Sequence, residues 1–208
     1  MEIKDLKKKI NRGFTLVELL IVIALIGILA TALVATLNPI EQINKARDTR
    51  YKNDAAELLA ALERYYASTQ VYPWVSASIT IEDEYGGMGA DTSVGVCGAT
   101  CATDGVLISS GELKTAFKSK EQFKATTAAD KFFIRKTKGS GGSVYVCFIP
   151  KAGTNRSIEK NPSLVLVDIC TAGDASGCST FTDPAACPVD ANTEWTNASS
   201  ACFVCVPE

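Results

Sequence analysis

The 208-residue sequence contains no histidine. That absence removes Ser-His and Cys-His nucleophilic pairs, imidazole metal ligands and imidazole-based pH switching. Most hydrolase and zinc-enzyme mechanisms are thereby excluded, and the chain reads as a non-enzymatic protein without a cofactor. Excess charge is lacking too. The 21 Lys and Arg stand against 23 Asp and Glu, a formal net charge of -2, so the chain as a whole has no electrostatic drive toward nucleic acid. No internal repeat and no phosphate-cradling glycine pattern is present. Apolar residues are plentiful: 47% hydrophobic against 21% charged is enough to bury a core and excludes an intrinsically disordered chain. Eight cysteines are many for this length, and their crowding toward the C-terminus predicts disulfides formed outside the cytoplasm.

Residues 1–13, MEIKDLKKKINRG, set Lys4, Lys7, Lys8, Lys9 and Arg12 against Glu2 and Asp5, a net charge of +3. Such a flank stays in the cytoplasm. Residues 14–37, FTLVELLIVIALIGILATALVATL, contain one ionisable group, Glu18. As a helix rising ~1.5 Å per residue they reach ~36 Å, enough to cross the hydrocarbon of a bilayer. The run is longer than the ~7 to 15 apolar residues of a secretory signal peptide. The expected topology is a single pass with the N-terminus inside and residues 38–208 outside. Glu18 is the anomaly, because a carboxylate in an apolar span costs roughly 2.5 to 3.5 kcal/mol unless paired or protonated. The span holds no Lys, Arg or His to neutralise it. A cut between Gly13 and Phe14 creates an α-amino group four residues before Glu18, with the required charge and depth.

Gly13-Phe14-Thr15-Leu16-Val17-Glu18, after a basic leader and before an apolar helix, resembles the processing site of type IV pilins and type II secretion pseudopilins. The resemblance extends to about residue 73 through Ala61-Leu62-Glu63-Arg64-Tyr65-Tyr66 and Tyr72-Pro73. It implies that a prepilin peptidase cuts after Gly13 and methylates Phe14, and that Glu18 is the carboxylate needed for filament assembly. The partners it implies are identical or related subunits in a helical filament, the peptidase, an inner-membrane assembly platform and, before assembly, the lipid bilayer. The implied location after processing is an extracellular pilus or a periplasm-spanning pseudopilus.

The residues support this organisation on their own terms. Asn38-Pro39-Ile40-Glu41 is a capping-box-like restart of the helix, predicting a kink or local melting there. From Ile40 an apolar stripe recurs at Ile43, Tyr51, Ala55, Leu58, Leu62 and Tyr65, with Arg47 as the exception. The face carrying Glu41 to Lys45 and Asp48 to Lys52, acid four residues before base, reads as solvated or as facing charged neighbours. Four regions result: a basic leader 1–13, a transmembrane and assembly half-helix 14–37, an amphipathic half-helix 38–69, and an extracytoplasmic head 70–208 with a Cys-rich tail 171–208. In the head, Gly86-Gly87-Met88-Gly89 reads as a surface loop and residues 110–118 as a short helix. Residues 131–137, 143–150 and 163–170 read as strands, the first two joined by a hairpin turn at 138–142. The fold class is α+β and pilin-like, a long N-terminal helix packed on a small antiparallel sheet, with a disulfide-stapled C-terminal region.

Cys97, Cys101, Cys147, Cys170, Cys178, Cys187, Cys202 and Cys205 are candidate structural disulfide cysteines whose pairing sequence leaves open. Cys97-x3-Cys101 and Cys202-x2-Cys205 also have spacings compatible with zinc or a redox pair, but an exported position favours oxidation, and the βαβ context of redox catalysis is missing. Asp168, Asp174, Asp183 and Asp190 fit no calcium loop, so no metal is assigned. Residues 112–138 carry eight bases and three acids, whereas 161–208 carry six acids and no base. Opposite patches of this kind suit contacts between stacked subunits, or a basic face for DNA or a surface ligand; two solvated faces of unlike sign are the plainer reading. Asn155-Arg-Ser157 and Asn197-Ala-Ser199 match the glycosylation tripeptide.

Two function classes follow. One is a filament subunit, of a type IV pilus or of the pseudopilus of a type II secretion or DNA-uptake system. The other is a membrane-anchored, Cys-rich surface-binding protein that does not polymerise. Gly13, Phe14 and Glu18 separate them, because an anchored receptor has no need of the three.

Overall fold

The computed structural model describes residues 13–36, 38–83, 85–127, 130–156, 164–166 and 202–207. The chain divides into two compact units, Met1–Ile40 and Glu41–Glu208. In the first, helix α1 spans Leu16–Thr36. Leu, Ile, Ala and Val fill it almost entirely, so the helix is apolar all round and has no polar face to turn toward water. Its window Leu16–Val34 has a mean hydropathy of 2.8, and none of it is buried.

Helix α2 spans Pro39–Thr69. Proline stands at its first position, where the missing N–H costs no helical hydrogen bond, directly after Asn38. The expected stripe is the buried face from Arg47 onward: Arg47, Tyr51, Ala55, Leu58 and Leu62 are all inside. Ile40 and Ile43 are not, being 69% and 68% exposed. The helix ends where Gln70 turns to φ 61 and its N–H donates to the Tyr66 carbonyl at 2.7 Å, a left-handed C-terminal turn.

Among the described residues five antiparallel strands form one sheet in the order β1, β2, β3, β5, β4. They are β1 Tyr85–Met88, β2 Phe133–Lys136, β3 Val144–Phe148, β4 Leu164–Leu166 and β5 Cys202–Val206. Three were expected, and the β2–β3 hairpin closes as anticipated: Thr137 N–H donates to the Ser143 carbonyl and Gly142 N–H to the Gly139 carbonyl, each at 3.0 Å. Tyr51 of α2 lies edge-on to Phe132 and Phe148, at 5.7 and 5.8 Å between ring centroids, which fixes the helix on one face of the sheet.

The structure revises three expectations in the head. Gly86-Gly87-Met88 is not a surface loop but edge strand β1, paired with β2. Tyr85 and Gly87 share a face, and the Tyr85 ring lies where a Cβ at Gly87 would sit, so glycine here makes room for a ring rather than marking a turn. No α-helix spans the expected 110–118: α3 (Val106–Ser109) ends before it, Gly111 turns to φ 83, and only a 3-10 turn at Thr115–Ser119 falls in that stretch. Residues 202–206 are no appended tail: β5 lies inside the sheet between β3 and β4. Two further short helices, α4 (Glu121–Lys124) and α5 (Gly153–Arg156), complete the described elements. A column of four stacked rings, Tyr66, Tyr72, Trp74 and Tyr85, joins the end of α2 to β1 with centroid spacings of 4.6, 4.7 and 4.4 Å.

Candidate functional site: the helix start and its surroundings

Gly13, Phe14 and Thr15 are non-helical and exposed, immediately before α1. The Gly13–Phe14 bond is therefore held in no secondary structure. A Cβ built on Gly13 meets nothing within 4 Å, so its glycine character answers no packing need of the described residues. Leader residues 1–12 lie outside the described residues.

Glu18 has a partner that the sequence reading did not weigh. It is the third helical residue, and its Oε2 accepts from Thr15 N–H at 2.9 Å and from the Thr15 hydroxyl at 2.7 Å. In return Glu18 N–H donates to Thr15 Oγ1 at 3.2 Å. This is a reciprocal capping box, satisfying donors that a helix start leaves open. The spacing Thr15-x-x-Glu18 was legible in sequence; attention to the missing cation hid it.

From Phe14, just before α1, to Val34 within it, fourteen large apolar side chains are 44–80% exposed. At about 1.5–3 kcal/mol per such side chain on full burial, leaving them in water forgoes on the order of 20 kcal/mol or more. No capping or propensity term approaches that, so this surface requires lipid or protein around it.

The acids of α2 behave differently from the expected solvated face. Asp48 is 2% exposed and accepts from Lys151 N–H at 2.9 Å, Ala152 N–H at 2.9 Å and Asn155 Nδ2 at 2.9 Å. Glu41 accepts from Gly153 N–H at 3.0 Å and Thr154 N–H at 3.2 Å. Seven residues apart, the two lie on one helix face and together cap the segment that leads into α5. Burial pulls the Glu41 carboxyl upward, but the Gly153 and Thr154 N–H groups and the Lys45 charge outweigh it and hold its pKa below the ordinary 4.5. Asp48 also occupies the side-chain nitrogen of Asn155, which the 155–157 glycosylation tripeptide would need free. Asn197 lies outside the described residues.

The basic run is largely consumed inside the head. Lys118 pairs with Asp104 at 2.7 Å, and Lys120 with Asp54 at 2.6 Å and Glu57 at 3.1 Å. Arg135 and Lys136 are buried; the Lys136 ammonium donates to the Thr137 and Gly139 carbonyls at 3.0 and 2.6 Å, and burial lowers its pKa. Of the run only Lys114, Lys124 and Lys138 are classed as exposed, so among the described residues it forms no dense basic face for a polyanion. Most of the acidic 161–208 segment, including all four aspartates weighed for calcium, lies outside the described residues.

Among the described residues two disulfides are formed, Cys97–Cys101 and Cys147–Cys205. Cys202 and Cys205 do not pair, because Cys205 is already bonded to Cys147. Cys170, Cys178 and Cys187 lie outside the described residues.

No curated protein and no solved structure matches the chain. Residues 8–34 match the family described as the prokaryotic N-terminal methylation motif, covering the basic end of the leader, the Gly13–Phe14 bond, Glu18 and most of α1. With the apolar helix, the small antiparallel sheet and the disulfides of an α+β pilin-like fold, this N-terminal match supports recognition of the chain as one of the type IV pilin and pseudopilin family.

Proposed function

We propose that the chain is a structural subunit of a type IV pilus, cut by prepilin peptidase after Gly13, methylated at Phe14 and polymerised through its N-terminal helix. The observation that carries this reading is the methylation motif at residues 8–34 laid over a helix whose apolar surface is exposed all round. Before assembly the bilayer covers that surface. During assembly, neighbouring copies of the same helix replace lipid with protein, so leaving the membrane exposes little apolar area to water. The assembly platform of the inner membrane supplies the work of extraction, and the head remains on the extracytoplasmic side. A pseudopilus of a secretion or DNA-uptake system uses the same chemistry; the amount of covalent bracing in the head favours the longer-lived surface filament.

Mass spectrometry of the protein from its native envelope tests the reading. A mature N-terminus at Phe14 carrying one added methyl group, in material recovered from sheared surface fibres, is the expected result. Protein that keeps residues 1–13 and never enters fibres identifies an anchored, non-polymerising protein instead. Processed protein found only in the envelope fraction indicates a pseudopilin.

A further inference from the structure

The two disulfides stand in contrasting surroundings. Cys147 and Cys205 are register partners on adjacent strands β3 and β5, and both are buried, at 0% and 4% exposure. A reductant reaches that bond only after the sheet opens. Cys97–Cys101 instead closes a sequence separation of 4, and although Cys97 is buried at 0% exposure, Cys101 is partly exposed, so the bond can be reached from the Cys101 side. Cys101 is held at φ 56, in the left-handed region that residues other than glycine rarely adopt. Opening the bond removes the covalent link that helps enforce this conformation.

The loop has other supports that do not depend on the bond. Gly98 N–H donates to the Thr103 carbonyl and Gly105 N–H to the Val96 carbonyl, both at 3.0 Å. Cys97 and Asp104 form an antiparallel bridge. Lys118 ties the far side, pairing with Asp104 at 2.7 Å and donating to the Ala102 carbonyl at 3.1 Å. The Phe123 carbonyl, 3.7 Å from Cys101 Sγ, is placed to accept from a released thiol.

We infer that Cys97–Cys101 is a thiol-exchange site, opened by a dithiol reductant in the folded protein while Cys147–Cys205 stays closed. One thiolate of the dithiol attacks Cys101 Sγ. The sulfur–sulfur bond breaks with its electron pair on Cys97 Sγ, which takes a proton. The second thiolate of the reductant then attacks its own sulfur in the mixed disulfide and expels Cys101 as a thiolate, which is protonated in turn. Two electrons pass to the protein, and the reductant leaves as a disulfide. The site is a substrate for exchange in an oxidising compartment, and its chemistry is independent of whether the chain polymerises.

Timed reduction of the full chain in detergent micelles by dithiothreitol, quenched with iodoacetamide, tests this. Trypsin places Cys97 and Cys101 together on residues 65–114 and Cys147 alone on residues 139–151. Alkylation of the first peptide is expected about tenfold or more faster than that of the second, with the near-ultraviolet circular dichroism of the head unchanged. Equal rates, or loss of the dichroism signal together with the first alkylation, overturn the inference. The double variant Cys97→Ser with Cys101→Ser is expected to keep the native spectrum and lose the rapid phase. Failure of that variant to fold overturns the inference too, since it makes the bond a structural requirement.

Discussion

Replacing Asp48 by Ala distinguishes the role seen in the structure from the solvated role its sequence spacing suggests. In the structure the substitution strands three donors, Lys151 N–H, Ala152 N–H and Asn155 Nδ2, at a site where the carboxylate is 2% exposed. Hydrogen bonds to a charged acceptor contribute about 1.5–3 kcal/mol each, but three that share one carboxylate are not additive, so the expected loss is about 3–5 kcal/mol. An exposed helical pair with Lys52 would be worth at most about 0.5 kcal/mol. The assay is denaturant unfolding of the full chain in micelles, followed by near-ultraviolet circular dichroism. Adding Asn155→Ala to form a double-mutant cycle is expected to show a coupling of about 0.5–3 kcal/mol. A loss below about 1 kcal/mol, with unchanged amide exchange over residues 151–156, refutes the buried-acceptor argument.

Cys147→Ser is expected to cost about 4 kcal/mol by the loop-closure relation for a sequence separation of 58, against about 2 kcal/mol for the separation of 4 at Cys97–Cys101; equal losses in chemical unfolding would remove loop length as the cause. Because the folded Glu41 pKa lies below its ordinary 4.5, its contribution is complete above that value and is lost as pH falls through the lower folded pKa. Protection of the Gly153 and Thr154 amides, taken relative to the intrinsic exchange rate at each pH, should therefore fall as pH drops below the ordinary 4.5, and Glu41→Gln should abolish that step. Burial pushes Tyr51 and Tyr85 each up to about 12, so in an ultraviolet titration both should still be neutral at the ordinary tyrosine value of 10. Their contribution to stability is full below the ordinary 10 and disappears as pH rises toward 12.

The N-terminal half of the chain was legible because its signals are local. An apolar run, a proline at a helix start and a three- and four-residue stripe each depend on neighbours in sequence, and α1, α2 and the stripe from Arg47 appear where expected. The roles of Asp48 and Glu41 were not legible. Their spacing to Lys52 and Lys45 satisfies a local pairing rule, while their partners lie more than a hundred residues away in a turn with no sequence signature of its own. Strand β1 was hidden by its two glycines, which read as turn residues, whereas at Gly87 the missing side chain admits the Tyr85 ring. Strand β5 was hidden by composition: Cys-Phe-Val-Cys-Val follows a Ser- and Asp-rich stretch that suggested a tail, and only its pairing with β3 and β4 makes it a central strand.

Glu18 combines two duties that a single substitution can separate. Both Thr15 contacts use Oε2, so the geometry leaves Oε1 for a further donor, and capping the helix does not compete with accepting a cation. In the proposed filament that cation is the methylated Phe14 amine of another copy, and in a low-dielectric bundle the pair needs its full charge to offset desolvation. Glu18→Gln retains an amide oxygen for Thr15 and loses the charge, whereas Glu18→Ala loses both. If the cap alone matters, Gln restores fibre yield to the parent level and Ala does not. If the ion pair matters, as the reading requires, both variants insert in the membrane and are cleaved after Gly13, yet both yield markedly fewer sheared fibres. Parent-level fibres from the Gln variant, measured at equal membrane abundance, would show that charge at Glu18 plays no part in assembly.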